Sequence, residues 1–253
     1  MSVSLRCYST SLGCPKNRVD TERLLGSLGV ALVPVESPDE AELVFINTCA
    51  FIQPATEESV RTIAQAIADI EELPKRPLLA VAGCLVGRYH AEDLAPELPE
   101  VDLWLDNSDL EAWPAMLARK LGLPEPTVPG RILSTGPSYA WLKISDGCRH
   151  ACSFCAIPNI RGGHRSHCKD MIVREARALL DQGVKELNLV AQDLTEWGCD
   201  LDGKQDLRTL LDGLLPLQGL ERLRLMYLYP AGMTHEMLKY LREAGKPFVP
   251  YFD

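Results

Sequence analysis

The stretch YAWLKISDGCRHACSFC (139–155) joins a strand-like run of apolar residues to a loop that holds three cysteines. Cys148, Cys152 and Cys155 are four and three residues apart, so their sulfurs can surround one centre without help from distant parts of the chain. A four-iron cluster ordinarily takes four thiolates. The sequence therefore predicts a cluster in which one iron is left open for another ligand.

The chain before this stretch alternates strand-like and helix-like patterns. The longest helical pattern covers residues 55–73. Strand-like runs lie at residues 3–10, 31–35, 42–49, 77–85 and 101–107. Such alternation predicts a doubly wound α/β domain with a parallel sheet over residues 1–121. The proline-rich and glycine-rich segment GLPEPTVPG then opens a linker, which we place at residues 122–134.

The same alternation restarts after the linker, over residues 135–253. Strands are predicted at residues 139–145, 185–193, 221–228 and 247–252, with helices at 171–183, 206–217 and 234–245. Four such steps are typical of the first half of a (β/α) barrel. A complete barrel needs about 250 residues, so we expect this second domain to stop in mid-fold.

Composition limits the kind of protein and its compartment. The chain has 253 residues, of which 46% are hydrophobic, and a net charge of -9. That charge argues against a protein held to nucleic acid by broad phosphate neutralisation. No signal segment opens the chain, and no apolar run approaches the roughly 18 residues that span a bilayer. We expect no membrane association and a cytoplasmic protein, in which nine cysteines indicate metal or cluster chemistry rather than disulfides.

Three further cysteines fall where predicted strands end. Cys14 follows the first strand, Cys49 ends the third and Cys84 ends the fourth. The carboxyl ends of parallel strands share one edge of a sheet, and ligand sites form there. The three thiols are therefore predicted to converge on a second centre. The alternatives are three separate buried hydrophobes, or a structural zinc site with a borrowed fourth ligand.

Zinc is also the alternative at the compact cysteine loop, where His150 or His164 could supply a fourth ligand. The three remaining cysteines have no partner pattern in the sequence. We interpret them as plain thiols: Cys7, Cys168 and Cys199.

The cysteine motifs carry a family resemblance. CxxxCxxC with an aromatic before its third cysteine, after the first strand of a β/α barrel, resembles the radical S-adenosylmethionine superfamily. SLGCPKN (11–17), NTCAFI (47–52) and AGCLVGRY (82–89) resemble the methylthiotransferases of that superfamily. The resemblance implies a methylthiotransferase amino-terminal domain followed by the first half of a radical S-adenosylmethionine partial barrel.

The resemblance also implies cofactors. Two 4Fe-4S clusters are expected, one on Cys148, Cys152 and Cys155 with its open iron chelated by S-adenosylmethionine. The other, an auxiliary cluster for sulfur transfer, is expected on three further cysteines: Cys14, Cys49 and Cys84. Partners would include an electron donor such as flavodoxin or ferredoxin.

Two segments favour one branch of this family. VAQD (190–193) and LRLMYLYPAG (223–232) resemble the branch that modifies a small-subunit ribosomal protein. That branch implies methylthiolation of the β-carbon of an aspartate side chain, with S-adenosylmethionine as radical source and methyl donor. Methylthiolation of a tRNA adenosine is the first alternative, which the acidic balance disfavours. A non-catalytic cluster-binding fragment is the second.

A few other residues are candidates for cofactor contact. By resemblance, Phe154 flanks the adenine of S-adenosylmethionine, although an aromatic here could equally belong to the core. Gln192 and Asp193 end a barrel strand on the face where such folds do chemistry. They are predicted to contact the cofactor or simply to cap the next loop. Three basic residues are interpreted either as charges that act on the clusters and an acidic substrate, or as solvated surface: Lys16, Arg161 and Arg165.

Overall fold

The computed structural model describes residues 4–126 and 128–252. The chain divides into two compact units, Met1–Ile132 with Asn159–Arg161, and Leu133–Pro158 with Gly162–Asp253. The domain limits drawn from the sequence stay a prediction.

The first unit is built on a sheet of five parallel strands, as the alternating pattern predicted. The strands are β1 (Ser4–Ser11), β2 (Ala31–Pro34), β3 (Leu43–Thr48), β4 (Leu78–Gly83) and β5 (Leu103–Asp106). Their order in the sheet is β2-β1-β3-β4-β5. This is the flavodoxin-like order, in which the direction of winding reverses between β1 and β3.

The helices of the first unit are α1 (Pro15–Ser27), α2 (Gln53–Ile70), α3 (Cys84–Tyr89), α4 (Ala91–Leu94) and α5 (Trp113–Leu121). Short 3-10 turns lie at Pro38–Glu40 and Asn107–Asp109. Helix α2 buries residues at alternating three-residue and four-residue spacing, from Thr56 to Ile70, which is the period of one helix face. It begins two residues before the predicted start, and it accommodates its proline in the first turn, where the missing N–H costs little.

The predicted strand at 77–85 is too long at its carboxyl end. Gly83 adopts φ +97, which turns the backbone, and Cys84 is already the first residue of α3. Strand β3 shows the opposite behaviour, because all six of its residues are buried. A central parallel strand is covered on both faces, so its residues are buried without alternation: four apolar residues come first, and the buried Asn47 and Thr48 follow.

The second unit contains a parallel sheet in the order β10-β9-β6. Its strands are β6 (Tyr139–Lys143), β9 (Glu186–Val190) and β10 (Arg222–Leu225). The short strands β7 (Ser145–Asp146) and β8 (Arg165–Ser166) pair antiparallel at the base of the cysteine loop. The helices of this unit are α7 (Lys169–Asp181), α8 (Leu207–Leu214) and α9 (His235–Ala244), with 3-10 turns at Leu194–Glu196 and Pro230–Gly232. Helix α6 (Ile157–Arg161) is divided between the units, because its last three residues belong to the first.

The strand predicted at 247–252 is wrong. Phe248 forms only an isolated bridge with Leu223, supported by one hydrogen bond from Leu223 N to Pro247 O (2.9 Å) and one from Val249 N to Leu223 O (2.9 Å). Pro247 and Pro250 have no N–H to donate, so a regular ladder cannot continue along this segment. The described part of this unit therefore has three strands in its parallel sheet and a fourth segment that only touches it.

The core of the second unit lies between its sheet and helices α7 and α8. Leu142, Leu187 and Leu223 occupy one face of the three strands and are fully buried. Helix α8 presents four buried leucines from Leu207 to Leu214 to the same core. In residues 4–126 and 128–252, we find no helix with the length and apolar character needed to cross a membrane.

Candidate metal centres

Three cysteines lie at the carboxyl edge of the five-stranded sheet, and we call Cys14, Cys49 and Cys84 the sheet-edge thiols. Cys14 caps the amino end of α1, Cys49 directly follows β3, and Cys84 begins α3. They therefore follow β1, β3 and β4, which are neighbours in the sheet. In this type of fold, ligand sites form outside the carboxyl ends of the strands where the winding reverses. The fold places these thiols at that position.

Glycines precede two of the sheet-edge thiols because the backbone passes very close to its neighbours. Gly13 has φ +81, and a Cβ there would lie 2.7 Å from Cys49 Sγ. Gly83 has φ +97, and a Cβ there would lie 2.2 Å from Asn47 Oδ1. Glycine adopts positive φ without steric cost. The two Gly-Cys pairs thus allow loops from different strands to approach one another at the thiols.

Buried amides hold the backbone around the sheet-edge thiols. Asn17 Nδ2 donates to Leu12 O (2.9 Å) and to Thr48 O (2.8 Å). Asn47 Nδ2 donates to Asn17 O (2.8 Å) and to Thr21 Oγ1 (3.1 Å). Both asparagines are fully buried. These hydrogen bonds hold the loop after β1 against the end of β3.

Helix α2 fixes the position of Cys49. Ser59, on its buried face, donates from Oγ to Cys49 O (2.7 Å) and accepts from Cys49 N (3.0 Å). Asn107, at the end of β5, lies near another sheet-edge thiol, with Nδ2 3.8 Å from Cys84 Sγ. Asn107 is buried, so its amide faces the sulfur rather than solvent.

A buried guanidinium also belongs to this site. The side chain of Arg161 is 1% exposed, pairs with Asp20 Oδ2 at 3.2 Å and donates to Asn17 Oδ1. Burial is the main cause that raises the pKa of the Cys49 and Cys84 thiols, and the charge of Arg161 acts in the opposite direction. A metal centre would replace the thiol protons and reverse this preference for the neutral form.

The sheet-edge thiols also affect one another's pKa values. The pKa of Cys49 is raised first by burial and then by the neighbouring Cys84 and Cys14 thiols, and that of Cys84 is raised by burial and by Cys14. Of the basic residues, Lys16 and Arg161 are buried, so the interpretation of these two as solvated surface is wrong. Arg165 is exposed.

The second group of thiols lies on the loop after β7, and we call Cys148, Cys152 and Cys155 the loop thiols. The loop is closed at its base by the pairing of β7 with β8 and by a hydrogen bond from Cys148 N to Gly162 O (3.2 Å). Cys155 N donates to Cys152 O (3.0 Å), which folds the loop back on itself. Gly147 has φ +67, and a Cβ there would lie 2.1 Å from Gly163 O. We call this closed base, formed by β7 (Ser145–Asp146) and β8 (Arg165–Ser166), the neck of the loop.

A buried ion pair stabilises the start of the cysteine loop. Lys143 Nζ lies 2.8 Å from Asp146 Oδ2, and Asp146 Oδ1 accepts from Gly147 N (2.8 Å). The loop thiols above it are half-buried. The pKa of Cys148 is raised first by burial and then by the nearby Cys155 and Cys152 thiols. The loop thus brings its three thiols together at a partly open surface.

His150 connects the cysteine loop to the ends of the next two strands. Its Nε2 lies 2.8 Å from Asp193 Oδ2, and its ring centroid lies 4.5 Å from that of Tyr229. The other oxygen of Asp193 accepts from Thr195 N (2.8 Å) and Thr195 Oγ1 (2.7 Å). Asp193 is 3% exposed, so both of its oxygens are occupied inside the protein. This geometry lets Asp193 position the cysteine loop, and its predicted contact with the cofactor stays a prediction.

The other predicted cofactor residues differ in exposure. Phe154 is 87% exposed, so it does not belong to the hydrophobic core. Gln192 lies two residues after the end of β9 and is half-buried. Contact of either residue with S-adenosylmethionine stays a prediction.

The spacing of the thiols argues against a single zinc ion at either cysteine group. Tetrahedral zinc with Zn–S bonds of about 2.3 Å needs sulfurs roughly 3.8 Å apart. In the part of the chain that the structure describes, three ligand atoms lie within 4.8 Å of one another only in His164–Cys199–Asp200 and in His150–Asp193–Glu196. Neither group includes a sheet-edge or loop thiol. In the described residues, neither cysteine group therefore has its three sulfurs at the spacing of a preformed one-ion site.

Some of the residues around the thiols could be recognised from the sequence. Asn17 and Asn47 lie three residues after Cys14 and two residues before Cys49, inside the motifs SLGCPKN and NTCAFI. Their proximity to cysteines could have marked them as supports. The sequence shows Arg161 only as an isolated charge, because sequence patterns do not show which side chains a single arginine will contact.

Comparisons with known proteins show which families the two parts of the chain resemble. Residues 6–106 match the family described as Uncharacterized protein family UPF0004, and residues 142–252 match the Radical SAM superfamily. Relatives named ribosomal protein uS12 methylthiotransferase RimO are 68% identical over 246 residues in Nitratidesulfovibrio vulgaris (strain DP4) and 59% identical over 253 residues in Lawsonia intracellularis. These alignments cover 97% and 100% of this chain, and 57% and 58% of the relatives. The chain thus spans somewhat more than half the length of these curated relatives.

Solved structures share the fold at low sequence identity. The radical S-adenosylmethionine methyltransferase TsrM from Kitasatospora setae, with a tryptophan substrate and a cofactor analogue bound, has a TM-score of 0.64 and 13% identity. The match covers 96% of this chain and 57% of that chain. A second structure of TsrM, with cobalamin and a 4Fe-4S cluster bound, gives a TM-score of 0.61 at 14% identity. At this identity the likeness concerns the fold alone.

Proposed function

The chain belongs to the radical S-adenosylmethionine methylthiotransferase family, and we propose that it carries the two cluster sites for methylthiolation of an aspartate in ribosomal protein uS12. The observation that carries the proposal is the presence of two separate groups of three thiols, one in each unit. A methyltransferase or a simple radical enzyme of this superfamily would need only the loop thiols. The sheet-edge thiols and the buried side chains around them support a second centre in the first unit.

The residues present fit two 4Fe-4S clusters. The loop thiols would hold one cluster with an iron open to S-adenosylmethionine, and the sheet-edge thiols would hold the other, each through three cysteines. When bound, these groups supply one-electron chemistry and sulfur, whereas the protein supplies ligation, orientation and the electrostatic environment. Cluster reduction also requires an external electron donor, such as flavodoxin or ferredoxin, in the cytoplasm.

The protein's own contribution differs between the two sites. At the loop, the neck closed by β7 and β8 and the contact of His150 with Asp193 would fix the orientation of the three thiolates. At the sheet edge, Asn107 and Arg161 would direct N–H groups and positive charge toward sulfur. Hydrogen bonds and charge near sulfur are among the factors that set cluster potential. The polar shell thus provides a means to tune the auxiliary cluster.

The substrate proposal is the β-carbon of an aspartate side chain in the small-subunit ribosomal protein. It rests on the relatives that are named for uS12 and on the segments VAQD and LRLMYLYPAG. The β-carbon of a peptide aspartate is an unactivated carbon. An enzyme can make its reaction with a radical faster mainly by holding that carbon in place. The net charge of -9 disfavours a polyanionic tRNA as substrate.

Mass spectrometry of two candidate substrates tests the proposal. The reconstituted chain, and a chimera that continues it with the carboxyl-terminal part of the Nitratidesulfovibrio vulgaris relative, are incubated with S-adenosylmethionine, reductant, and either a uS12 loop peptide or tRNA. We expect the chimera to add one methylthio group to the peptide aspartate and none to tRNA. A methylthio group on tRNA alone would replace this function with the tRNA activity. A chimera inactive on both would support the non-catalytic alternative.

Two matched variants separate S-adenosylmethionine cleavage from methylthiolation in the same assay. In the chimera, replacing the sheet-edge thiols with alanine should stop methylthiolation while S-adenosylmethionine cleavage continues. Replacing the loop thiols should stop both. If the sheet-edge variant still methylthiolates the peptide, the auxiliary site has no part in sulfur transfer.

A further inference from the structure

A group of three potential metal ligands in the second unit lies outside both cysteine sites. His164 precedes β8, whereas Cys199 and Asp200 follow the 3-10 turn at Leu194–Glu196. Their ligand atoms all lie within 4.8 Å of one another. His164 Nε2 lies 3.6 Å from Asp200 Oδ1, and the His164 side chain is 4% exposed. A buried imidazole is thus directed at a thiol and a carboxylate that reach solvent.

The chemical types match the preferences of zinc. Zinc binds imidazole nitrogen, thiolate sulfur and carboxylate oxygen, and sites with three protein ligands keep a position for water. Cys199 and Asp200 are exposed, so the fourth position would face solvent. Glu196, in the same turn, and its ion-pair partner Arg149 both lie near Cys199, so their charges offset each other. The carboxylate of Asp200 and the thiolate that Cys199 becomes on binding supply the negative charge that favours a divalent cation.

Hydrogen bonds fix the two loops in this arrangement. Ser166 N donates to Asp200 Oδ2 (2.8 Å), and Ser166 Oγ accepts from Gly198 N (2.9 Å). His164 Nε2 also lies 3.0 Å from Ser166 Oγ. One carboxylate oxygen of Asp200 is therefore committed to the backbone, and the other faces His164. Trp197 Nε1 donates to His167 O (3.0 Å) and joins the same loops a second time.

The group His150–Asp193–Glu196 is a useful contrast. Its ligand atoms are as close together as those of the His164 group, but its carboxylates already have partners within the protein. Both oxygens of Asp193 accept hydrogen bonds or pair with His150, as described above. Glu196 forms an ion pair with Arg149. A cation there would have to displace an arginine and break the support of the cysteine loop. A cation at the His164 group would replace the contact of His164 Nε2 with Ser166 Oγ and the proton of the Cys199 thiol, and it would leave the Arg149–Glu196 ion pair in place.

We propose that His164, Cys199 and Asp200 form a third metal site, which binds a borderline divalent cation of the zinc type. Binding forms bonds from the cation to His164 Nε2, Cys199 Sγ and a carboxylate oxygen of Asp200, with water in the fourth position. The Cys199 thiol releases its proton to solvent, and no electron is transferred. The bound ion joins the segment before β8 to the loop after β9. This site is separate from both cluster sites and does not depend on the proposed function.

Zinc binding by the iron-loaded chain tests the site. The reconstituted chain is equilibrated with zinc chloride in a citrate buffer, and bound zinc and iron are measured after desalting. Zinc-edge X-ray absorption then reports the ligands. We expect one zinc per chain, with a single sulfur at about 2.3 Å and nitrogen or oxygen at about 2.0–2.1 Å. Cys199→Ser should remove the sulfur signal and weaken binding at least tenfold, and Asp200→Asn should also weaken it.

The control is Cys168→Ser, which removes another exposed thiol of the same unit and should leave zinc binding unchanged. All six cluster cysteines stay in place in each variant, so zinc that enters a cluster site would persist in Cys199→Ser with its sulfur signal. That result overturns the proposal. A wild-type chain that holds no more zinc than Cys199→Ser overturns it as well.

Discussion

The sheet-edge thiols follow three different strands at intervals of 35 residues, whereas the loop thiols lie within eight consecutive residues. Cys49 and Cys84 are buried among asparagines and a paired arginine, and the loop thiols are half-buried on a hairpin-like loop. The first site exists only when the whole sheet has folded. The second depends on a short neck closed by two residue pairs.

This difference separates two ways to build a three-thiol centre. At the sheet edge, the tertiary structure provides the geometry, so damage to the fold should damage the site and damage to the thiols should spare the fold. At the loop, local spacing provides the geometry, and the rest of the unit provides anchors such as the His150 to Asp193 contact. An open position for a cofactor fits the exposed loop better than the buried edge.

The largest expected effect comes from removing one group of thiols at a time. Replacing either the loop thiols or the sheet-edge thiols with alanine should remove about four of about eight irons per chain. Only the chain that keeps its loop thiols should change its electron spin resonance signal when S-adenosylmethionine is added. Iron and sulfide analysis with spectroscopy of the reduced protein measures both. The comparison would break if the sheet-edge variant also lost its response to S-adenosylmethionine.

The sequence predicted the parallel sheet because each strand is a short apolar run between turn residues. It could not predict the order β2-β1-β3-β4-β5, which depends on the side to which each crossover returns. The last strand was wrong because apolar residues suggested a strand where two prolines prevent a ladder. Local patterns thus identify the elements, and backbone hydrogen bonding decides which of them join a sheet.

The two sites were unequally visible in the sequence for a similar reason. The loop thiols share one motif, and the neck that supports them is encoded by nearby glycines. The sheet-edge thiols could be grouped only through the strand-end argument, and their shell of Asn17, Asn47 and Arg161 follows no period. Buried amides satisfy specific backbone atoms from distant segments, so their roles depend on contacts that are not local. The assignment of all six cysteines as cluster ligands stays a prediction for the iron analysis.

The second effect concerns the fold around the sheet-edge site. Asn47→Leu removes two buried hydrogen bonds, to Asn17 O and Thr21 Oγ1, and leaves these acceptors without that donor. We expect a loss of about 3 kcal/mol in the free energy of unfolding, with iron lost from the sheet-edge site and retained at the loop. Urea unfolding and iron analysis measure the two effects.

Gln65→Leu is the matched control for this change, because it replaces an exposed amide on α2 with the same residue. Its effect on stability should stay within about 0.5 kcal/mol. Full iron content and wild-type stability in Asn47→Leu would mean that the site does not depend on its buried shell.

A smaller effect should follow from loosening the loop. His150→Phe keeps an aromatic ring against Tyr229 and removes the contact with Asp193 Oδ2. A buried carboxylate without this partner costs about 1–3 kcal/mol, so we expect S-adenosylmethionine to bind roughly tenfold more weakly at unchanged iron content. Titration of the cofactor-dependent spin resonance signal measures the affinity. Arg149→Gln, at an exposed ion pair of the same loop, should have little effect, and equal weakening in both variants would remove the special role of His150.

The smallest effect tests a cysteine that belongs to neither group. Cys7 lies in the middle of β1 at 4% exposure, and burial raises the pKa of its thiol to about 12. Cys7→Ala should leave iron content unchanged and lower the free energy of unfolding by about 1 kcal/mol at pH 7.

In the unfolded chain this thiol ionises near pH 8.5, so its stabilising contribution is complete below that pH and is lost as the pH rises toward 12. The difference between wild type and Cys7→Ala in urea unfolding should therefore shrink or reverse by pH 10, whereas Cys168→Ala, at an exposed thiol, should show no comparable trend. A loss of iron in Cys7→Ala would instead make Cys7 part of the sheet-edge site, and the contrast between a buried plain thiol and the three sheet-edge thiols would fail.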